Sequence, residues 1–209
     1  MRALIANVVM ACVIGALVSP AAADDRSRAL AAAALASCEA VDATREGDRS
    51  ARLARLEEGI VMSEAAVAAD SQDPRAHLAL FCNLGLHVDL SGLSWRMFDR
   101  LRRAQAEIDR AHELAPSDPD ILVAKGELLR HMPSPLGGDK AAGLILIRRA
   151  TEIAPDHVAA RLHLAHALAD DRAPDARVHV REALAVAERC GAERERSEAR
   201  ALLASLEQR

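Results

Sequence analysis

A chain of 209 residues is long enough for one packed domain or for an array of small repeated units. Its apolar share of 51% excludes a disordered polymer, and two Phe, one Trp and no Tyr leave few aromatic platforms for stacking bases or sugars. A net charge of −4 excludes the basic footprint of a nucleic-acid binder or of a protein held on an anionic membrane.

Residues 1–23 read as a secretory signal peptide. Arg2 gives the positive start, residues 3–18 an apolar stretch, and Pro20, Ala21, Ala22 and Ala23 the small residues of a cleavage site. A membrane anchor needs about 20 apolar residues; this run is shorter and stops at Pro20. Cys12 lies too close to the start to leave an apolar region ahead of a lipidation site. The short Ala-rich signal implies cleavage and a periplasmic address, with any membrane association indirect. Cys38, Cys82 and Cys190 follow it. Export permits disulfides, and an odd count leaves at least one thiol over.

An irregular helix pair is expected over 26–70, because the Ala/Leu/Arg/Glu excess favours helix over strand. Asp73-Pro74 then opens a second pair, over 74–116, and Asp118-Pro119 a third, over 119–155. Asp before Pro is a helix N-cap followed by the one helical position where proline costs nothing. The segment Ala111-His112-Glu113-Leu114-Ala115-Pro116 recurs as Ala150-Thr151-Glu152-Ile153-Ala154-Pro155, and Asp156-His157 leads into a fourth pair over 157–190. Residues 191–209 carry Leu202, Leu203 and Leu206 against charge, as a capping helix would.

Two insertions interrupt this rhythm. The first, around Ser91, Gly92, Leu93 and Ser94, precedes Trp95, Met97 and Phe98 in one turn beside Arg96, Arg100, Arg102 and Arg103. Those side chains either pack beneath a long helix or form an exposed apolar pocket mouth. The second, 131–139, contains Pro133, Pro135, Gly137 and Gly138; Asp139 is placed to cap the next helix. It lacks the Gly-Lys-Ser/Thr ending of a phosphate cradle.

These landmarks resemble the tetratricopeptide repeat. Gly126, Gly143, Ala150 and Pro155 match its small-residue and proline positions, as do Gly85, Ala104, Ile108, Ala111 and Pro116 one unit earlier. The last unit carries Ala176, Val180 and Ala183, with Glu188 in place of the proline. The resemblance implies an all-α fold over 24–209, a tetratricopeptide-like stack of antiparallel helix hairpins closed by a C-terminal capping helix. The small residues would let paired helices approach closely. The concave wall would include Leu86, Asp89, Val123, Glu127, Arg130, Arg161, Ala165 and Leu168, with Arg130 and Arg161 able to hold an acidic group. Cys38 and Cys82 would lie on first helices of neighbouring hairpins, either disulfide-bonded or as two buried thiols. The Pro…Gly-Gly-Asp loop together with export resembles the TRAP-transporter T-component family, which implies an accessory subunit beside a transport system.

Catalytic chemistry has little support. His163 and His166 share a helix face, but no His-Glu-x-x-His occurs, and a zinc site needs three or four convergent ligands. Pairs such as Glu57-Glu58 and Asp170-Asp171 are helix neighbours that point apart. No nucleophile elbow or dinucleotide fingerprint is present. The expectation is a binding protein with no catalytic residue, cofactor or metal. It would recognise an envelope protein through the concave face, by Leu86, Asp89, Glu127, Arg130, Arg161 and Leu168. The alternative is an apolar or acidic small molecule held near Trp95 and Phe98, beside the 91–103 insertion.

Overall fold

The computed structural model describes residues 20–44, 47–92 and 95–208. Most of the expected signal peptide therefore lies outside the described residues. Among those described there are nine α-helices and no strand. They are α1 (Pro20–Ala43), α2 (Arg49–Ala69), α3 (Pro74–Ser91), α4 (Trp95–Leu114), α5 (Pro119–His131), α6 (Lys140–Ile153), α7 (Val158–Asp170), α8 (Ala176–Cys190) and α9 (Glu193–Glu207). No described helix is long and apolar enough to cross a membrane.

The helices pack as consecutive antiparallel hairpins, α1 with α2, α3 with α4, α5 with α6 and α7 with α8, and α9 closes on α8. The chain is thus an all-α helical repeat with a terminal capping helix. The punctuation works as capping chemistry predicts. Asp73 accepts from the Arg75 N–H and Asp118 from the Asp120 and Ile121 N–H groups, with Pro74 and Pro119 in the first helical turn. Asp139 accepts from the Ala142 N–H at the start of α6. At α7 the cap is a histidine. His157 Nδ1 accepts from the Ala160 N–H, while Asp156 stays exposed and meets Arg189.

Small residues set the hairpin spacing at two places. A Cβ on Gly126 would fall 2.8 Å from the Gly143 carbonyl oxygen, and one on Gly143 would fall 2.5 Å from that of Gly126. Both obstacles are backbone, so neither can swing aside. Gly126→Ala or Gly143→Ala must push α5 from α6. The overpacking cost of about 1–3 kcal/mol exceeds the ~1 kcal/mol that alanine gains in helix propensity. Urea unfolding of either variant is expected at lower midpoint than the parent; an unchanged or higher midpoint would refute the close-contact account.

Gly85 behaves otherwise. It matches the same repeat position, yet nothing lies within 4 Å of a Cβ built there. The tight contact nearby runs instead between the first and second hairpins, from Gly59 of α2 to Asn83 of α3, which is fully buried and donates to the Ala34 and Ala79 carbonyls.

Cys38 of α1 and Cys82 of α3 form a disulfide, and Cys190 is a free, exposed thiol. At the other end, His166 of α7 lies 3.0 Å from Glu198 of α9, and Arg194 of α9 lies 2.8 Å from Asp42 of α1. The array curves until its last helix touches its first.

Candidate functional site

The first helices of the hairpins enclose a groove of about 530 Å³. Its floor is apolar, formed by Leu35 of α1, by Leu78, Phe81, Cys82 and Leu86 of α3, and by Val123, Ala124 and Leu128 of α5. Polar side chains rise around it: Glu39, Arg75, Asp120, Glu127, His131 and, from α7, His163. Gly85 opens the α3 wall, and beyond it the groove continues into a side pocket of about 330 Å³. That pocket lies between Val88, Asp89, Leu101 and Ala104 on one side and Met132, Pro133 and Leu136 of the 131–139 insertion on the other. Phe81, Gly85, Leu128 and His131 belong to both.

Leu78 explains why the floor stays in place. It is buried with Ile108, Ala111 and Ile121, so α3, α4 and α5 share one apolar cluster beneath the groove. Leu35, Phe81 and Leu128 pack on the groove side of that cluster and remain partly exposed.

Two electrostatic nodes mark the rim. Glu127 bridges two imidazoles, with Oε1 at 3.2 Å from His163 Nδ1 and Oε2 at 3.3 Å from His131 Nδ1. Burial opposes ionisation of Glu127, but the His163 hydrogen bond and the charges of His163, His131 and Arg130 outweigh it and hold the carboxyl below its usual range. The second node is Asp120, at 2.9 Å from His157 Nε2 and 2.7 Å from Arg75 Nη1; Arg75 Nη2 also meets Asp118 at 3.3 Å. Because His157 Nδ1 accepts the α7 cap, its proton sits on Nε2 and is donated to Asp120. That hydrogen bond, and then Arg75, overcome burial and draw the Asp120 carboxyl down to about 2.

A carboxyl depressed in the folded state contributes stability above its unfolded pKa, near 3.9, and loses it as the pH falls toward 2. The stability gap between parent and Asp120→Asn is therefore expected to be full above about pH 5 and to close only toward about pH 1, below both pKa values. Thermal unfolding at stepped pH reads it directly; a gap independent of pH would mean that the node is not coupled to folding.

The structure brings Leu86 and Glu127 into the groove and Asp89 into the side pocket. Four other expected wall residues, Arg130, Arg161, Ala165 and Leu168, lie elsewhere. Arg130 is 7% exposed and bound to Asp171 and to the Ala167 carbonyl, so it links α5 to α7 and lines neither the groove nor the side pocket. Arg161 turns to Glu182 and the Pro155 carbonyl. Leu168, like Ala165, is core. On α7 the groove takes Ala159 and His163 instead. An offset of two residues rotates a helix position by about 200°, to the opposite face. Phe98 is exposed outside both cavities, while Trp95 opens α4 with its side chain outside the described residues. Arg75, Phe81, Gly85, Asp120, His131 and His163 are groove residues that the repeat geometry did not point to.

His163 and His166 go to separate carboxylates, Glu127 and Glu198, and His179 on α8 goes to Glu182 and Asp175. Among the described residues no three His, Cys, Asp or Glu converge as a metal site.

No protein-family model matches the chain, and no curated protein matches it. Among solved structures it is similar to the crystal structure of YrrB, "a TPR protein with an unusual peptide-binding site", at 16% identity over 73% of this chain and 76% of that one, with a TM-score of 0.40.

Proposed function

We propose that this chain is an exported binding protein without catalytic activity, which holds a segment of an envelope protein in the groove between α1, α3, α5 and α7. Gly85 carries the reading. A helical glycine facing open space does nothing for packing and costs about 1 kcal/mol of helix propensity relative to alanine. Its position where groove and side pocket meet makes sense if something must pass there. The groove's apolar floor and polar rim have the composition of a ligand cleft. The Cys38–Cys82 disulfide favours an oxidising compartment, and the signal-like residues 1–23 favour the periplasm.

The test fills the gap. Gly85→Ala is expected to raise stability by about 1 kcal/mol, and Gly85→Trp to keep the fold while blocking the groove. Peptides selected from a random displayed library on the parent should lose binding to Gly85→Trp and keep it on Gly85→Ala. Selected peptides that bind all three proteins alike would exclude the groove.

A second reading is favoured by the side pocket itself, which is mostly apolar, lies beside the 91–103 insertion and is lined by Met132, Pro133 and Leu136 of the loop that resembles the transporter T-component family. There the chain would be an accessory subunit of a transport system holding an apolar or acidic small molecule. Native mass spectrometry of the protein taken from its own periplasm separates the two: a small molecule retained at fixed stoichiometry favours the second reading, and a bare chain the first.

A further inference from the structure

The groove is rich in hydrogen-bond acceptors and poor in donors, which restricts what can bind. Resting on the peptide-groove reading, we propose that its occupant is a basic apolar segment: aliphatic or aromatic side chains on the floor and an arginine or lysine at the rim between Glu39, Asp89 and Glu127.

The rim offers few donors. Its permanent cation, Arg75, is already committed to Asp118 and Asp120 and has no charge to spare for a ligand. His131 and His163 spend their Nδ1 positions on Glu127, so in the neutral rings each Nε2 is left as an acceptor. No donor among the described residues meets either Nε2. Glu39 and Asp89 are exposed carboxylates with no side-chain partner among the described residues. Glu39 stands on the α1 side of the groove and Asp89 at the side pocket, with the Glu127 node on α5.

An acidic ligand would meet unpaired carboxylates around the apolar floor and would find no free cation in exchange. A neutral apolar ligand would fill the floor and leave the rim to water. A guanidinium or ammonium satisfies the open acceptors and the charge together. Large apolar side chains flanking it would occupy the floor at Leu78, Phe81 and Leu128 and the side pocket past Gly85.

The experiment uses the full chain and two labelled peptides identical in their Leu and Phe residues, one carrying Arg where the other carries Glu, compared by fluorescence anisotropy. The Arg peptide is expected to bind about tenfold tighter, with the advantage shrinking as salt is added. The double variant Glu39→Gln with Asp89→Asn changes exposed side chains only and should remove most of that advantage while leaving unfolding unchanged. Equal binding of the two peptides, or preference for Glu, overturns the proposal and leaves the groove reading standing. If neither binds and the displayed library also yields no peptide sensitive to Gly85→Trp, both readings fall together.

Discussion

Serine at both Cys38 and Cys82 is expected to lower the unfolding free energy by about 4 kcal/mol, the chain-entropy value for a loop of this size. The two residues are 44 apart in sequence, so the bond closes a loop containing the whole of α2. Its importance follows from what else holds α1. The cluster joining α1, α2 and α3 is built from Ala31, Ala34, Ala66, Ala76 and Ala79, with Leu30, Leu35, Met62 and Val67 only partly buried. Alanines bury little area each, and the stabilisation that scales with apolar area is correspondingly thin. The disulfide compensates by restricting the unfolded chain instead. Intact mass with and without reductant establishes the bond, and urea titration of the double serine variant measures its worth. A loss below about 1 kcal/mol would show that the alanine cluster suffices by itself. Cys82 also forms part of the groove floor, so the same variant is expected to weaken peptide binding along with the first hairpin.

Asp171→Ala is the second change with a large expected effect. It strands a guanidinium whose side chain is 5% exposed. Arg130 Nη1 and Nη2 bind the two Asp171 oxygens at 2.9 and 3.1 Å, and Nη2 also donates to the Ala167 carbonyl at 3.0 Å. The cation thus adds a second donor to an end carbonyl of α7 that also accepts from the Asp171 N–H, and it sits at the negative end of the helix dipole. Removing the carboxylate should cost about 3 kcal/mol, the low end for breaking a buried pair, because Asp171 itself is partly exposed. Arg130→Met should cost less, since it removes the buried charge with its partner's need for it and keeps most of the volume. The double variant should resemble Arg130→Met alone. If Asp171→Ala is as mild as Arg130→Met in urea unfolding, the pair is not an obligatory link between α5 and α7.

How much of this was legible depends on the signal each feature leaves. Hairpin boundaries are written in short-range chemistry: Asp73-Pro74, Asp118-Pro119 and Asp139 declare helix starts because caps and prolines act within one turn. Gly126 and Gly143 likewise announce a close approach that the structure contains. Which face of a helix meets solvent is harder. Arg130 and Glu127 are three residues apart and share a turn, yet one is locked to Asp171 and the other lines the groove. Their separation is decided by the neighbouring α7, which sequence spacing does not locate. On α7 itself Ala, Leu and His recur on all sides, so no apolar stripe fixes the rotation that brings His163 to the groove. The groove did leave one trace, in the spacing Asp120, Val123, Ala124, Glu127, Leu128 and His131 along α5. That mixed polar and apolar stripe reads as an ordinary half-buried face until the helix opposite is known.

The contact between Arg194 and Asp42 spans 152 residues. A linear repeat array can be lengthened by a unit or frayed from either end, because each hairpin answers only to its neighbours. Here the row returns on itself, and its perimeter is set by the number of hairpins it already has. Inserting another would part α9 from α1, and unfolding of the first hairpin also removes a neighbour of the last helix. The ion pair is exposed and by itself worth no more than about 1 kcal/mol. Its consequence is one of connection rather than strength: it links the last helix to the first hairpin directly, without passing through the hairpins between them.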